Sequence, residues 1–316
     1  MIESTTYKDT KRNIIDLVSN TNDGTVLLQV LKTLELGNIE YRIQAAIRTN
    51  PTAYAFCKQI TTAIVCSDAT VKEKDEFLNK YSTGIINTAS LLDGKPHFFS
   101  ELVGPGFATE VFTELAVSLT SQGVGPGEVA LAVFSPHIQW CGRAAGYGDV
   151  IINGINVELK TSVKSGGRWI NARKANMNLT SIKESIEENT NIMVPARLGI
   201  PNWVTTFRPV ISEAALPEVC SIIGKGLFSA ADTTVFEKML ASGSCADIID
   251  EMLRTGYENY KNLSGFDGML MMDISSQTAQ YFTSYDAMRG NIKIDSAYLY
   301  GPESETMPKV SLKVKK

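Results

Sequence analysis

Apolar residues recur at intervals of three and four over much of the first 95 residues, most regularly across 26–34. This spacing places apolar side chains on one face of a helix. The same periodicity returns across 179–262, between two stretches with β-type patterns. We therefore expect a helical N-terminal region over 1–95 and a helical insertion over about 176–262.

Short β-type segments occupy the middle and the end of the chain. Apolar and polar residues alternate along 148–160, which is typical of a strand or hairpin with one buried face. Apolar runs of strand length return later, at 268–274, 292–294 and 310–314. We expect the run at 268–274 to join the sheet of 148–160. Residues 276–288 are expected to be helical, and residues 137–146 to be a connector.

Asn153-Gly154 marks the turn of a hairpin inside the alternating stretch. Asn-Gly flanked by β-branched residues is the strongest short-range signal for a two-residue hairpin loop. With the turn there, Val150 pairs with Val157, and Asp149 lies opposite Glu158. Successive side chains alternate between the faces of a strand, so one face of the hairpin is wholly apolar and is expected to be buried.

The other face of the hairpin carries two carboxylates and an ammonium group. Asp149 and Glu158 face each other with Cβ atoms roughly 4.5–5.5 Å apart, a pairing that is repulsive unless something compensates. Lys160 lies diagonally across from Asp149 and offsets part of the charge, and a divalent cation would offset more. Two carboxylates around a metal ion, with an ammonium group beside them, are the equipment for hydrolysing a phosphodiester.

The order of these residues resembles the PD-(D/E)xK nuclease superfamily. Asp149 is followed by eight residues and then by Glu158-x-Lys160, and Gly148 stands where the family has Pro. The family often carries a further acidic residue on the preceding helix, a role that Glu128 fits. Glu128 also suits the first turn of a helix, where the positive helix end stabilises a carboxylate. Both interpretations of Glu128 stay open.

The resemblance implies a restriction-endonuclease-like fold, an α/β class with a mixed sheet core flanked by helices, here over residues 96–316. Such a core needs further strands and a helix after its hairpin. The implied catalytic residues are Asp149, Glu158 and Lys160. The implied cofactor is Mg²⁺, with Mn²⁺ able to substitute, and its ligands are Asp149, Glu158 and Glu128.

The function that the resemblance implies is metal-dependent endonucleolytic cleavage of phosphodiester bonds, with DNA as the expected substrate and a viral, phage or mobile-element origin. Cutting both strands usually takes two active sites, which favours a homodimer. The alternative is a catalytically inactive structural or nucleic-acid-binding protein on the same fold, such as a virion component. In that case Asp149, Glu158 and Lys160 form a surface ion-pair cluster, which is worth little energetically.

A basic stretch follows the hairpin. Residues 161–182 contain no acidic residue and carry four cations, at Lys164, Arg168, Arg173 and Lys174. Nucleic-acid phosphates attract such side chains. We expect these four residues to bind nucleic acid, and the alternative is an ordinary solvated loop.

Composition narrows the choice of chemistry and compartment. The net charge of the 316 residues is −4, which argues against general coating of nucleic acid. Five cysteines without CxxC spacing indicate reduced thiols, and two histidines argue against a His-rich metal site or a Ser-His-Asp triad. No run of about 18 apolar residues and no signal-peptide pattern is present. We expect a cytoplasmic protein, or a virus-encoded one in the host cytoplasm, without a membrane partner.

Overall fold

A computed structural model describes most of the chain, namely residues 41, 51–81, 84–120, 125–141, 148–163, 167–168, 179–301 and 308–313. Its strands are β1 (His97–Phe98), β2 (Ile138–Trp140), β3 (Val150–Ile152), β4 (Ile155–Ser162), β5 (Gly167–Arg168), β6 (Leu198–Gly199), β7 (Gly268–Asp273), β8 (Thr278–Phe282), β9 (Ile292–Ser296), β10 (Tyr298–Tyr300) and β11 (Lys309–Leu312). They form one six-stranded sheet and two small sheets of two and three strands.

The described helices fall into two groups along the chain. The first group is α1 (Pro51–Ala55), α2 (Cys57–Val65), α3 (Val71–Tyr81), α4 (Thr88–Leu91), α5 (Phe99–Val103), α6 (Phe107–Ser118) and α7 (Glu128–Phe134). The second is α8 (Leu179–Thr190), α9 (Ile200–Asn202) with the π-helical and 3₁₀ turns after it (Trp203–Phe207 and Arg208–Val210), α10 (Leu216–Leu227), α11 (Thr234–Ser242), α12 (Cys245–Ser264) and α13 (Tyr285–Met288). None of the helices described here combines the length and apolar character that crossing a bilayer requires.

The six-stranded sheet is mixed and has the order β1-β8-β7-β4-β3-β2. β4 and β7 run parallel, and the other neighbouring strands pair antiparallel. A parallel pair needs a long crossover connection, and the helices α8–α12 lie in the chain between β4 and β7. The expected α/β class is confirmed, and so is the prediction that residues 268–274 join the sheet of the hairpin.

The hairpin has the predicted turn and register. Val150 pairs with Val157 and Ile152 with Ile155. Asn153 and Gly154 both have positive φ, 51° and 83°, as a two-residue type I′ turn requires. The expected connector over 137–146 is wrong for residues 138–140, which form β2 and pair with the edge of β3. Residues 142–146 lie outside the described residues.

Each face of the sheet buries its own hydrophobic core. Along β7, Leu270 and Met272 point into a first core shared with α1–α7, and Met269 and Met271 into a second core shared with α8–α13. The apolar face of the hairpin belongs to the first core, as predicted. The helices of residues 51–91 are part of that same core. The division of the chain near residue 95 stays a prediction.

The pattern predicted a single helix over residues 276–288, and this prediction is wrong. These residues contain β8, which pairs with β7, and only the short helix α13. Gln277 has a positive φ of 52° in the tight connection between the two strands. The segment becomes a strand because it pairs with the edge of β7, and this pairing outweighs its local helical propensity.

Candidate metal and catalytic centre

Three polar side chains meet on the face of β4 that is covered by the helices of the second core, α8–α13. The Lys160 Nζ donates hydrogen bonds to the Glu158 Oε1 at 2.7 Å and to the Tyr260 hydroxyl at 3.2 Å. The Tyr260 hydroxyl in turn donates to the same Glu158 oxygen. The ammonium group also lies 4.7 Å from the centre of the Tyr260 ring, within cation–π range.

This cluster is buried, contrary to the surface ion-pair cluster of the non-catalytic alternative. Glu158 is 1% exposed, and the Lys160 side chain is 14% exposed. The reason is the parallel pairing of β4 with β7, which aligns Glu158 with Met269 and Lys160 with Met271 in the second core. A buried charge is costly unless it is paired and hydrogen-bonded, and the contacts of the cluster provide that pairing.

Asp149 lies just before β3, beside the strand that carries Glu158 and Lys160. Its Oδ2 accepts a hydrogen bond from the backbone amide of Leu159 at 2.9 Å, across the hairpin. The preceding Gly148 amide donates to the Asn156 Oδ1 at 2.7 Å. These two bonds hold the Asp149 carboxylate against β4 at Leu159, the residue between Glu158 and Lys160.

Gly148 approaches β4 more closely than any other residue type allows. A Cβ at this position would lie 2.5 Å from the Val157 carbonyl oxygen and 2.9 Å from the Glu158 amide nitrogen. Both atoms belong to the backbone and have little freedom to move. The glycine at position 148 therefore has a local steric cause.

We expect Gly148→Ala to lower the free energy of unfolding by about 1–3 kcal/mol, the usual cost of overpacking. Urea denaturation measures this loss. Gly199→Ala is the matched control, because its new Cβ would meet no atom closer than 3.6 Å. Equal stability of the two variants would contradict the close approach of Gly148 to β4.

Glu128 is the first residue of α7, as one of the two interpretations predicted. Gly127 before it has a φ of 88° and is the N-cap of the helix. The Glu128 Oε1 accepts from the Gly125 amide at 2.6 Å, and the Oε2 accepts from the Trp140 Nε1 at 3.3 Å. The carboxylate is buried and held from both sides. Metal binding by Glu128 stays a prediction.

The carboxylates of the centre interact through their charges. Burial, then the charge of Glu158, raises the pKa of Asp149 to about 8. Burial also raises the pKa of Glu128, while its bonds to Gly125 and Trp140 oppose the shift. Burial alone would lower the pKa of Lys160, but the charges of Glu158 and Asp149 raise it well above the usual value. The negative charges of Glu158 and Asp149 thus stabilise the ammonium form of Lys160.

Asn156 ties the hairpin to the end of helix α12. Its backbone amide donates to the Asp267 Oδ2 at 2.9 Å, and the backbone amide of Asp267 donates to the backbone carbonyl of Asn156 at 2.8 Å. The Asn156 Nδ2 donates to the Gly265 carbonyl at 2.9 Å. The same side chain also accepts from Gly148, so one residue links the loop of Asp149, the strand of Glu158 and the helix of Tyr260.

Asp149, Glu158, Lys160 and Glu128 interact with one another through their charges. Arg168 lies in β5, where its backbone pairs with Lys309. The other three predicted nucleic-acid-binding residues, which follow the hairpin, lie outside the described residues: Lys164, Arg173 and Lys174.

Two members of the centre were missed by sequence reasoning, Trp140 and Tyr260. Trp140 fell in the segment expected to be a connector. Tyr260 is 102 residues from Glu158 along the chain and lies in a helix with ordinary apolar spacing. No local pattern distinguishes either aromatic residue from a core side chain.

Comparisons of this chain with protein-family models, with curated proteins and with solved structures find no match. Within the described ranges, no three or more His, Cys, Asp or Glu side chains form a group that could hold a metal ion. Glu158 and Glu128 instead direct their carboxylates at hydrogen-bond donors of the protein. The functional argument therefore depends on the chemistry of the centre itself.

Proposed function

We propose that this protein is a Mg²⁺-dependent nuclease that cleaves DNA, built on a restriction-endonuclease-like fold. The observation that carries the proposal is the hairpin arrangement, in which Glu158 is hydrogen-bonded to Lys160 and Asp149 interacts with both through its charge. The chain topology supports it. The helix α12 and the strand β7 follow the hairpin in the chain, and such a core needs a helix and further strands at that point.

The residues of the centre fit a magnesium ion by charge and by donor type. Mg²⁺ binds oxygen ligands and commonly uses one or two carboxylates together with several waters. Asp149 and Glu158 would hold the ion, with the Leu159 carbonyl as a third oxygen, and Glu128 would contribute directly or through water. A cation there would relieve the like-charge repulsion that, after burial, raises the pKa of Asp149. Mn²⁺ should substitute for Mg²⁺.

The chemistry follows from charge. A bound divalent ion would lower the pKa of a water and stabilise charge on the scissile phosphate. Lys160 has a raised pKa, so it remains an ammonium group and acts by electrostatic stabilisation of the phosphate, not as a general base. Asp149 and Glu158 hold the cation. Glu128 adds negative charge next to them, and Trp140 fixes its orientation.

The basic stretch after β4 is the proposed contact with the phosphate backbone. β4 ends at Ser162, and the chain reaches Arg168 in β5 shortly afterwards. The four cations Lys164, Arg168, Arg173 and Lys174 therefore follow the catalytic strand directly in sequence. Backbone contacts of this kind position a nucleic acid without reading its sequence.

The test is a substrate panel of plasmid DNA, single-stranded DNA, branched DNA and RNA, incubated with Mg²⁺, with Mn²⁺ or with EDTA. We expect cleavage of DNA in both metals and none in EDTA. Sedimentation of the same samples tests the expected homodimer. Metal-independent cleavage would contradict the proposed centre. Binding of nucleic acid without any cleavage would favour the alternative, a catalytically inactive nucleic-acid-binding or structural protein.

A further inference from the structure

We infer that Tyr260 is a positioning residue of the centre, which sets the relative placement of the Glu158 carboxylate and the Lys160 ammonium group. Through Tyr260, the helical segment between β4 and β7 takes part in the chemistry of the hairpin. This inference rests on the proposed function, since the centre that Tyr260 serves is the proposed nuclease centre.

The hydroxyl of Tyr260 contacts both charged groups at once. It donates its single proton to the Glu158 Oε1, and its oxygen accepts from the Lys160 Nζ at 3.2 Å. Burial is the main reason that the pKa of this phenol is raised, so the hydroxyl stays neutral and remains a donor. The ring provides a third contact, since the ammonium group lies 4.7 Å from its centre. A group that orients a metal-binding carboxylate also tunes the metal site.

Helix α12 holds Tyr260 rigidly. Ser244 and Asp247 form a capping box at its start, and Gly265, with a φ of 67°, ends it. The Tyr260 ring packs edge-on against Phe266, with ring centres 5.7 Å apart. Tyr260 itself is only 3% exposed, and its hydroxyl is engaged by Glu158 and Lys160.

The end of α12 is bonded to the catalytic hairpin independently of Tyr260. The bonds of Asn156 with Gly265 and Asp267 fix the helix end to β4 two residues before Glu158. Removal of the Tyr260 hydroxyl therefore leaves the helix in place. Any effect on the centre then comes from the lost hydroxyl and not from displacement of the helix.

The experiment compares Tyr260→Phe with Tyr257→Phe in the full-length chain. Tyr257 is a suitable control because it lies one turn earlier in α12, is fully buried, and packs edge-on against the same Phe266 at 5.6 Å. Both substitutions keep the ring and remove one buried hydroxyl. Three quantities are measured: the dissociation constant for Mn²⁺ by titration calorimetry, kcat and KM on the cleaved DNA, and the thermal midpoint.

For Tyr260→Phe we expect Mn²⁺ binding to weaken about 10-fold and kcat to fall about 10-fold or more, the usual effect of losing a group that orients a metal ligand. KM should stay within about twofold, because the hydroxyl does not contact substrate. Tyr257→Phe should change neither Mn²⁺ binding nor kcat, and the thermal midpoints show that both variants are folded.

Two results would overturn the inference, and they are distinguishable. If the wild type cleaves DNA and the two variants have equal Mn²⁺ affinity and equal kcat, Tyr260 is only a packing residue and the proposed function stands. If the wild type neither binds Mn²⁺ nor cleaves any substrate, the proposed function fails and this inference fails with it.

Discussion

Replacing Asp149 with Asn is expected to abolish cleavage and, in the absence of metal, to stabilise the fold at pH 8. The first effect follows because the centre loses one of its two principal metal-binding carboxylates. A bound metal contributes several kcal/mol to transition-state stabilisation. Its loss corresponds to a fall in rate of about 10²–10⁴-fold.

The second effect of Asp149→Asn follows from proton linkage. The pKa of Asp149 is raised from 3.8 to about 8 by burial and the nearby charge of Glu158. Such a carboxylate binds a proton more tightly in the folded state, so the free energy of unfolding falls as pH rises between these two values. Asn cannot ionise and keeps an oxygen for the Leu159 amide. In Asp149→Asn the free energy of unfolding should therefore not show this fall with rising pH.

Thermal unfolding in EDTA between pH 5 and pH 8.5 measures the linkage, beside a cleavage assay in Mg²⁺. Asp273→Asn is the control, because Asp273 lies on β7 of the same sheet and is hydrogen-bonded to Ser162 and Ser276. It should cleave DNA and retain the wild-type pH dependence. Full activity of Asp149→Asn would place the chemistry elsewhere, and unchanged pH dependence would contradict the charge environment described for Asp149.

Lys160→Ala is expected to lose most of the cleavage rate while retaining metal. The ammonium group stabilises charge on the phosphate without being a ligand, so the rate should fall by about 10²-fold or more, as for other positioned charges. Mn²⁺ affinity should be unchanged or improved, because a competing positive charge next to Glu158 is gone. Cleavage assays and calorimetry with Mn²⁺ separate these two effects.

The burial of the ion pair adds a stability effect to the same variant. Without Lys160, Glu158 loses the cation that lies 2.7 Å away in a site where the carboxylate is 1% exposed. Breaking a buried pair in this way costs about 3–5 kcal/mol. We therefore expect metal-free Lys160→Ala to unfold at lower urea concentration and Mn²⁺ to restore much of the loss. Lys160→Arg, which keeps the charge, should be the more stable of the two variants.

Normal cleavage by Lys160→Ala would contradict the electrostatic role of the ammonium group. Loss of Mn²⁺ binding in parallel with activity would make Lys160 a structural member of the cluster instead. These outcomes also bear on the non-catalytic alternative. If the wild type cleaves no nucleic acid and Lys160→Ala only lowers stability, the buried pair serves the fold alone, as the non-catalytic alternative expects.

Much of the candidate site was determined by the sequence alone, because its parts are close together in the chain. The Asn153-Gly154 turn sets the hairpin register, and the alternation of side chains then places Glu158 and Lys160 on one face. The helix start at Glu128 agrees with the preference of a carboxylate for the first turn of a helix. Such features depend on contacts between near neighbours, which local spacing encodes.

The tertiary structure alone decided the surroundings of that site. Parallel pairing of β4 with β7 buries the polar face of the hairpin, and β8 replaces a predicted helix because it pairs with the edge of β7. Tyr260 reaches Glu158 across 102 residues. The physical reason is that strand pairing and burial depend on which distant segments meet. Local periodicity contains the preference of each segment but not its partner.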